Sequence, residues 1–379
     1  MTQASERALM IESRDLLVVK VGSSLLIDDD GRLRTEWMDC LAQRLMDRSG
    51  PAVIVSSGAI ALGRKAIGLE ERPRLLAQAQ AAAAVGQIHL ARAWSEAFAG
   101  HGGTAAQILL SLGDLEARRR YLNARATLET LIEHGIVPVV NENDTVATEE
   151  IRFGDNDRLA ARVAQLLGAH GLLLLSDVDG LYNADPVSNP DARHIAEVDA
   201  ITAEIEALAG QPRFDGVGTG GMISKLKAAR IATEAGTTVM LGSGLGEDPL
   251  GELIAGAPAT VFKARSNPLA ARKQWLKSLQ HPAGELDIDS GALKALSSGS
   301  SLLAVGVRAV RGQFQRGDLV RLVGPNGPCG QGLCGYPAEQ ARQITSLNSR
   351  QIAEVLGEAG RGPVVHRDDL VLFDQFGSI

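Results

Sequence analysis

Three cysteines in 379 residues are too few for a disulfide framework, so a reducing cytoplasm is the expected compartment. Aromatic residues make up only 3% of the chain, which argues against a base-stacking surface for single-stranded nucleic acid. No apolar run approaches 18 residues and the mean hydropathy is +0.02, which excludes a membrane-spanning helix. The opening residues Met1–Arg7 are polar, lack the apolar stretch of a signal peptide, and are expected to lead straight into a strand. A basic excess is missing too: the formal net charge of −7 argues against a general nucleic-acid binder. Finally, no Gly-Lys pair occurs anywhere, so there is no Walker-type phosphate loop. What remains is 45% apolar and 22% charged, ordinary for a globular chain with room for more than one core.

The first two-thirds alternate apolar strands with helical stretches. Strands are expected at 16–19, 52–55, 107–110, 136–140, 172–175 and 237–241. Thr35 is placed to cap a helix running to about Ser49, and the alanine-rich stretch Ala77–Val85 reads as a tightly packed helix. The economical architecture is an α/β three-layer sandwich, a mostly parallel sheet covered on both faces. Nearly every strand stops abruptly in Lys, Ser, Asn, Asp or Gly, and in open α/β sheets ligands bind outside those carboxyl ends. Residues 263–280 break the rhythm with a basic, polar segment that reads as a linker. Beyond it, short strands, turns and glycines point to a small β-rich domain.

Five strand ends or loops carry the chemistry. Gly218-Thr219-Gly220-Gly221-Met222-Ile223-Ser224-Lys225 opens a helix with a glycine-rich loop and sets a lysine one turn inside it, a site suited to polyphosphate. Lys20, followed by Gly22 and Ser23, closes the first strand, where an ammonium and free amides can meet phosphate oxygens. Ser56-Ser57-Gly58-Ala59 offers hydroxyls and amides to a carboxylate or a transferring phosphoryl group; a simple helix cap is the plainer reading. Asn141-Glu142-Asn143-Asp144 and Gly154-Asp155-Asn156-Asp157 straddle one loop and suit an amino-acid ammonium and carboxylate, or the orientation of lysines; Asx turns are the alternative. Ser176-Asp177, at the end of the leucine strand, opens a turn whose carboxylates can line a nucleotide or magnesium site.

Three other patterns are set aside. Gly216, Gly218 and Gly221 fit Gly-x-Gly-x-x-Gly, but no strand precedes them. His366-Arg367-Asp368 imitates a protein-kinase catalytic loop without its downstream asparagine. Cys329 and Cys334 have no second pair, and the seven histidines lack ligand spacing, so no protein-held metal is expected.

Taken in order, Val19-Lys20-Val21-Gly22-Ser23, Ser57-Gly58-Ala59-Ile60, Asn141–Asp144, Gly154–Asp157, Gly180-Leu181-Tyr182 with Ala184-Asp185-Pro186, and Gly218–Met222 with Lys225 resemble the bacterial glutamate 5-kinases of the amino-acid kinase family. The stretch from Pro282-Ala283-Gly284-Glu285 to His366-Arg367-Asp368-Asp369 resembles the PUA domain these enzymes often carry. Ser224 departs from the threonine of many relatives but keeps the hydroxyl. The resemblance implies a kinase domain over 14–262, a linker at 263–280, a PUA-like domain over 281–362, and a C-terminal strand and tail over 363–379.

It also implies phosphoryl transfer from ATP, with Mg2+ on its phosphates, to the side-chain carboxylate of glutamate, the first step of proline biosynthesis. Lys20 and Lys225 would clamp the phosphates, Asp157 would orient them, and amides near Gly22 and Gly58 would hold the moving group. Ser57, Asp144, Asn156 and Asn141 would bind glutamate. Ser176, Asp177 and the loop of Thr219, Gly220, Gly221, Met222, Ile223 and Ser224 would bind ATP. Feedback inhibition by proline around residues 144–156, a homo-oligomer and hand-over of product to glutamyl phosphate reductase are further implications. Another acceptor (N-acetylglutamate, aspartate or UMP) stays open. RNA binding through the PUA-like region ranks low, since residues 281–379 hold nine Lys and Arg against ten Asp and Glu.

Overall fold

The computed structural model describes residues 3–28, 30–71, 73, 75–146, 155–209, 221–356 and 362–373. The chain divides into two compact units, Met1–Glu116 with Ala124–Pro268, and Ala117–Asn123 with Leu269–Ile379.

In the first unit an eight-stranded sheet is built from β1 (Leu17–Val21), β2 (Ala52–Val55), β3 (Thr104–Leu110), β4 (Ile136–Glu142), β5 (Gly171–Ser176), β8 (Glu197–Val198), β9 (Thr238–Ser243) and β10 (Ala259–Phe262). A two-stranded ribbon, β6 (Leu181–Tyr182) with β7 (His194–Ile195), branches from the chain after β5. The sheet order is β3-β4-β2-β1-β5-β9-β10-β8, parallel except where β10 runs against β9. Strands β1, β2 and β5 are buried at every position, Lys20 of β1 and Ser176 of β5 included, and their largely apolar sequences suit strands covered on both faces. β3 differs from the expected buried strand: it is the sheet edge and mostly half-exposed or exposed.

Side chains alternate across β1, and this places the site. Leu17, Val19 and Val21 join a core with Trp37, Met38, Leu41, Trp94 and Phe98. Lys20 therefore faces the other side of the sheet, toward the helix Asp155–Leu167. On the Trp94 side, the 25-residue helix Leu76–Gly100 lies against the short helix Ala59–Gly63. Their contact is backbone on backbone: a Cβ on Gly63 would overlap the Ala82 carbonyl oxygen, and one on Gly86 would overlap that of Ala59. The alanine-rich sequence is what permits that approach.

The N-terminus does not run straight into β1. Helix Gln3–Glu12 comes first, and its buried Arg7 donates to the Ala257 and Ala259 carbonyls at 2.8 Å each. Ala, Glu, Arg, Leu and Met favour the helix, and the pair of bonds ties it to the edge of β10. None of the helices among the described residues is long and apolar enough to cross a membrane.

The second unit is a five-stranded sheet, β12 (Val307–Gly312), β11 (Gly284–Ile288), β13 (Leu319–Gly324), β14 (Gly327–Cys334) and β15 (Val365–Leu372), in that spatial order. Its core gathers Leu286, Phe314, Leu322, Tyr336 and Ile344. The segment read as a linker contains the helix Pro268–Ser278, and the buried Gln331 of β14 donates to the Leu276 and Leu279 carbonyls at its end. Cys329 and Cys334 are both buried on β14, and burial pushes the Cys334 thiol up to about 12.

Candidate active site

The carboxyl ends of β1, β2, β4 and β5 lie on one rim because these neighbours run parallel. Lys20 stands opposite Val55 of β2 and Leu174 of β5, so Ser57 and Ser176 emerge two residues beyond its level on the adjacent strands. Strand neighbours are about 4.8 Å apart, which brings all three within reach of one small ligand. Gly58, which follows Ser57, has φ of 105°, a left-handed conformation that turns the chain into the Ala59–Gly63 helix.

A buried charge cluster sits beneath that rim. Asp157, in the first turn of the Asp155–Leu167 helix, is 1% exposed. Lys20 Nζ lies 2.6 Å from its Oδ1 and Lys225 Nζ 3.8 Å from its Oδ2. Ser224 Oγ donates to Oδ2 at 2.7 Å. Burial works against the Asp157 charge, but the two ammonium groups and the hydroxyl outweigh it and hold the carboxyl below its ordinary range. Lys225 is pushed down, first by burial and then by the like charge of Lys20, while Asp157 and Asp177 pull it back up. Two cations thus share the Asp157 carboxylate, an arrangement suited to a polyanion.

Next to it is a polar relay. Asn156, the residue before Asp157, donates through Nδ2 to Ser57 Oγ at 2.9 Å and to Asn141 Oδ1 at 3.2 Å. Asn141, 1% exposed, donates in turn to Gln87 Oε1 at 2.6 Å. Asn156 Oδ1 is buried and has no hydrogen-bond partner among the described residues. A buried amide oxygen in that condition costs free energy until a donor arrives. Asp144, also buried, begins a 3-10 turn, Asp144–Val146.

The glycine-rich loop is only partly within the described residues. Thr219 and Gly220, like Gly154 and Gly218, lie outside them. Gly221 precedes the helix Met222–Glu234, and a Cβ there would meet open space. Met222 and Ile223 are half-buried in its first turn, ahead of Ser224 and Lys225. Ser176 donates to Asp177 at 2.8 Å at the end of β5, and Asp177 is exposed.

Gln87 and Trp94 are the site residues that sequence reasoning passed over. Trp94 donates to Ser56 Oγ at 3.0 Å and is fully buried. Both lie on the alanine-rich helix, where Ala79, Ala82, Ala83, Gly86 and Leu90 mark the inward face. A glutamine beside that face is the signal that was available.

The amino acid kinase family model matches residues 15–243, and the PUA domain model matches residues 284–356. The chain is 52% identical over 361 residues to the glutamate 5-kinase of Ruegeria sp. (strain TM1040), covering 94% of this chain and 98% of that protein. It is 50% identical over 360 residues to the glutamate 5-kinase of Rhizobium rhizogenes (strain K84), covering 94% and 92%. The glutamate 5-kinase 1 of Rhizobium meliloti (strain 1021) is 50% identical over 366 residues, covering 96% and 93%. On the match of the kinase and PUA models and on half-identity across nearly the whole chain, this protein belongs to the glutamate 5-kinases of the amino acid kinase family.

Proposed function

We propose that the chain transfers the γ-phosphoryl group of ATP to the side-chain carboxylate of L-glutamate, forming L-glutamyl 5-phosphate as the first step of proline synthesis. The observation that carries this reading is the start of one helix. Asn156 points into the Ser57–Asn141 relay while Asp157, the next residue, pairs with Lys20 and Lys225. An amino-acid acceptor site and a phosphate clamp thus stand one residue apart.

The nucleophile is already ionised at neutral pH, given a reference pKa of about 4.3, so no strong general base is required. Catalysis rests on positioning and on neutralising charge as it moves between oxygens. Lys20 and Lys225 hold the phosphates from two elements, and Asp157 keeps both aimed. Amides following Gly22 and Gly58 hold the transferring group. Ser57, Asp144 and Asn156 bind glutamate, with Asn156 Oδ1 accepting from its ammonium. Asn141 acts through Asn156, anchored by Gln87. Ser176, Asp177 and the loop ending at Ser224 bind the nucleotide. Asp157 is committed to two lysines and a hydroxyl, so magnesium would be held chiefly by the ATP phosphates, whose charge it would spread. Proline, an amino acid without the distal carboxylate, competes at the glutamate end.

The test traps the acyl phosphate with hydroxylamine in the presence of ATP and magnesium, with parallel reactions on N-acetylglutamate and aspartate. Hydroxamate from glutamate alone, suppressed by proline and lost in Lys225→Ala, is the expected result. Hydroxamate only from another acid would overturn the acceptor assignment.

A further inference from the structure

Beyond the strand ends already described, a staple joins two loops of the rim. The loop after β9 continues the ladder by one bond, Gly244 N to Ser176 O at 2.8 Å, and then leaves the sheet at Leu245. Leu245, the residue after that bond, is 54% exposed. Its backbone, by contrast, is held firmly. Arg34 donates through Nη2 to the Leu245 carbonyl at 3.3 Å and through Nη1 to the Leu25 carbonyl at 3.2 Å. Trp37, 3% exposed, donates its indole N–H to the Gly244 carbonyl at 2.9 Å, and the Arg34 guanidinium carbon stands 5.9 Å from the centre of its ring. A Cβ on Gly244 would overlap Leu25 Cδ1, so the loop presses directly on the helix Ser23–Leu26 that follows Lys20 and Gly22.

One arginine thereby ties the loop after β9 to the helix Ser23–Leu26 that follows Lys20 and Gly22. A fork of guanidinium donors over an indole is rigid and specific in direction, which a lysine cannot reproduce. Holding Leu245 outward exposes apolar surface, and that is unfavourable unless something apolar comes to lie on it. Its place one residue beyond the Gly244–Ser176 bond names the candidate: the base or ribose of the nucleotide, whose flat face is apolar.

We propose that Leu245 forms a wall of the nucleoside pocket and that Arg34, seated on Trp37, is the positioning residue that fixes it. The proposal rests on the nucleotide reading given above. In it, Arg34 touches no substrate; it sets the distance between the phosphate clamp and the base wall.

The test separates base from phosphate. Binding of ATP and of inorganic tripolyphosphate is measured by calorimetry on the wild-type chain and on Leu245→Ala, Arg34→Gln and Arg34→Lys, each checked for an unchanged thermal midpoint. Leu245→Ala should weaken ATP roughly tenfold, the size of losing part of a buried leucine contact, and leave tripolyphosphate unchanged. Arg34→Gln should show the same split, with the ATP KM raised, the glutamate KM unmoved and kcat within about threefold. Arg34→Lys should recover only part of the loss. Equal weakening of ATP and tripolyphosphate, or none, overturns the base wall. A lowered thermal midpoint with normal ATP binding would make Arg34 merely structural and overturn its role. Because binding is read without turnover, a chain that bound ATP normally but failed to phosphorylate glutamate would sink the acceptor reading and still decide this one.

Discussion

Lys20 and Asp157 form an ion pair at 2.6 Å in which both side chains are more than nine-tenths buried. A strand lysine facing a helix carboxylate so deep in the protein is costly unless both charges are satisfied, and Lys225 adds a second cation to the same anion. A triphosphate would bring negative charge to the two ammonium groups that share this carboxylate. Asp157→Asn removes the carboxylate that Lys20 and Lys225 share and should destabilise the ligand-free protein by about 3 kcal/mol, the scale of an uncompensated buried charge. Tripolyphosphate should restore much of that loss, because it supplies the missing negative charge. Chemical denaturation with and without tripolyphosphate measures both; an equal loss in the two conditions would count against a phosphate clamp here.

The depressed Lys225 ammonium gives a pH signature. Its pKa is lowered by burial and by Lys20, so it loses its proton below the ordinary value of 10.5. If its charge holds phosphate, kcat/KM for ATP should fall as pH rises through that depressed value. The unfolded chain binds this proton more tightly than the folded one, so the Lys225 contribution to stability improves over the same rise. Asp177 raises the Lys225 value. Asp177→Asn should accordingly move the alkaline limb toward lower pH. A limb that stayed in place, or moved up, would remove Lys225 from the rate profile.

The packing beneath the acceptor site offers a stability test. Gly63→Ala and Gly86→Ala each place a Cβ into a facing carbonyl oxygen, where neither helix backbone can yield without moving. Overpacking of this kind costs about 1–3 kcal/mol, and backbone obstruction should put both variants at the upper end. The Ala59–Gly63 helix begins at Gly58, next to Ser57, so the displacement should also raise the glutamate KM. Thermal melts and initial rates on the two variants check this. A variant with a wild-type melt would mean that the helices separate freely.

Much of this site was legible because charged and polar residues interrupt apolar strands. Lys20 follows three buried apolar residues of β1, and Ser56 and Ser57 follow the four of β2; in a sheet covered on both faces such breaks have little reason to exist except at a ligand. Asn156 and Asp157 stood out as a dense amide and carboxylate run. Their division of labour did not, since only the helix geometry turns neighbouring residues toward different partners. Gln87 and Trp94 were hidden because a polar tip on an otherwise packed helix has no periodic signature. The N-terminal helix escaped for a related reason: ten residues of good helix formers carry little amphipathic pattern, and its anchor, Arg7, is satisfied by carbonyls some 250 residues away. The helix Pro268–Ser278 was hidden by its basic residues, which read as a linker, and Gln331, which donates to the Leu276 and Leu279 carbonyls at its end, lies 55 and 52 residues beyond them along the chain.

Asn156 gives the sharpest test of the acceptor site. Its Nδ2 is spent on Ser57 and Asn141, and its buried Oδ1 accepts from none of the described residues. In Asn156→Ala the protein loses two hydrogen bonds worth about 1 kcal/mol each, and sheds one buried unsatisfied acceptor worth about 1–3 kcal/mol. The terms nearly cancel, so the melt of the ligand-free variant should stay close to wild type. With glutamate present the two proteins should part. The variant has no oxygen for the ammonium, so its glutamate KM should rise at least tenfold while its ATP KM holds. The thermal shift that glutamate gives the wild-type protein should also disappear. A variant that melts far below wild type without ligand would show that Asn156 serves the fold. One that keeps its glutamate affinity would show that the empty oxygen waits for something other than the acceptor's ammonium.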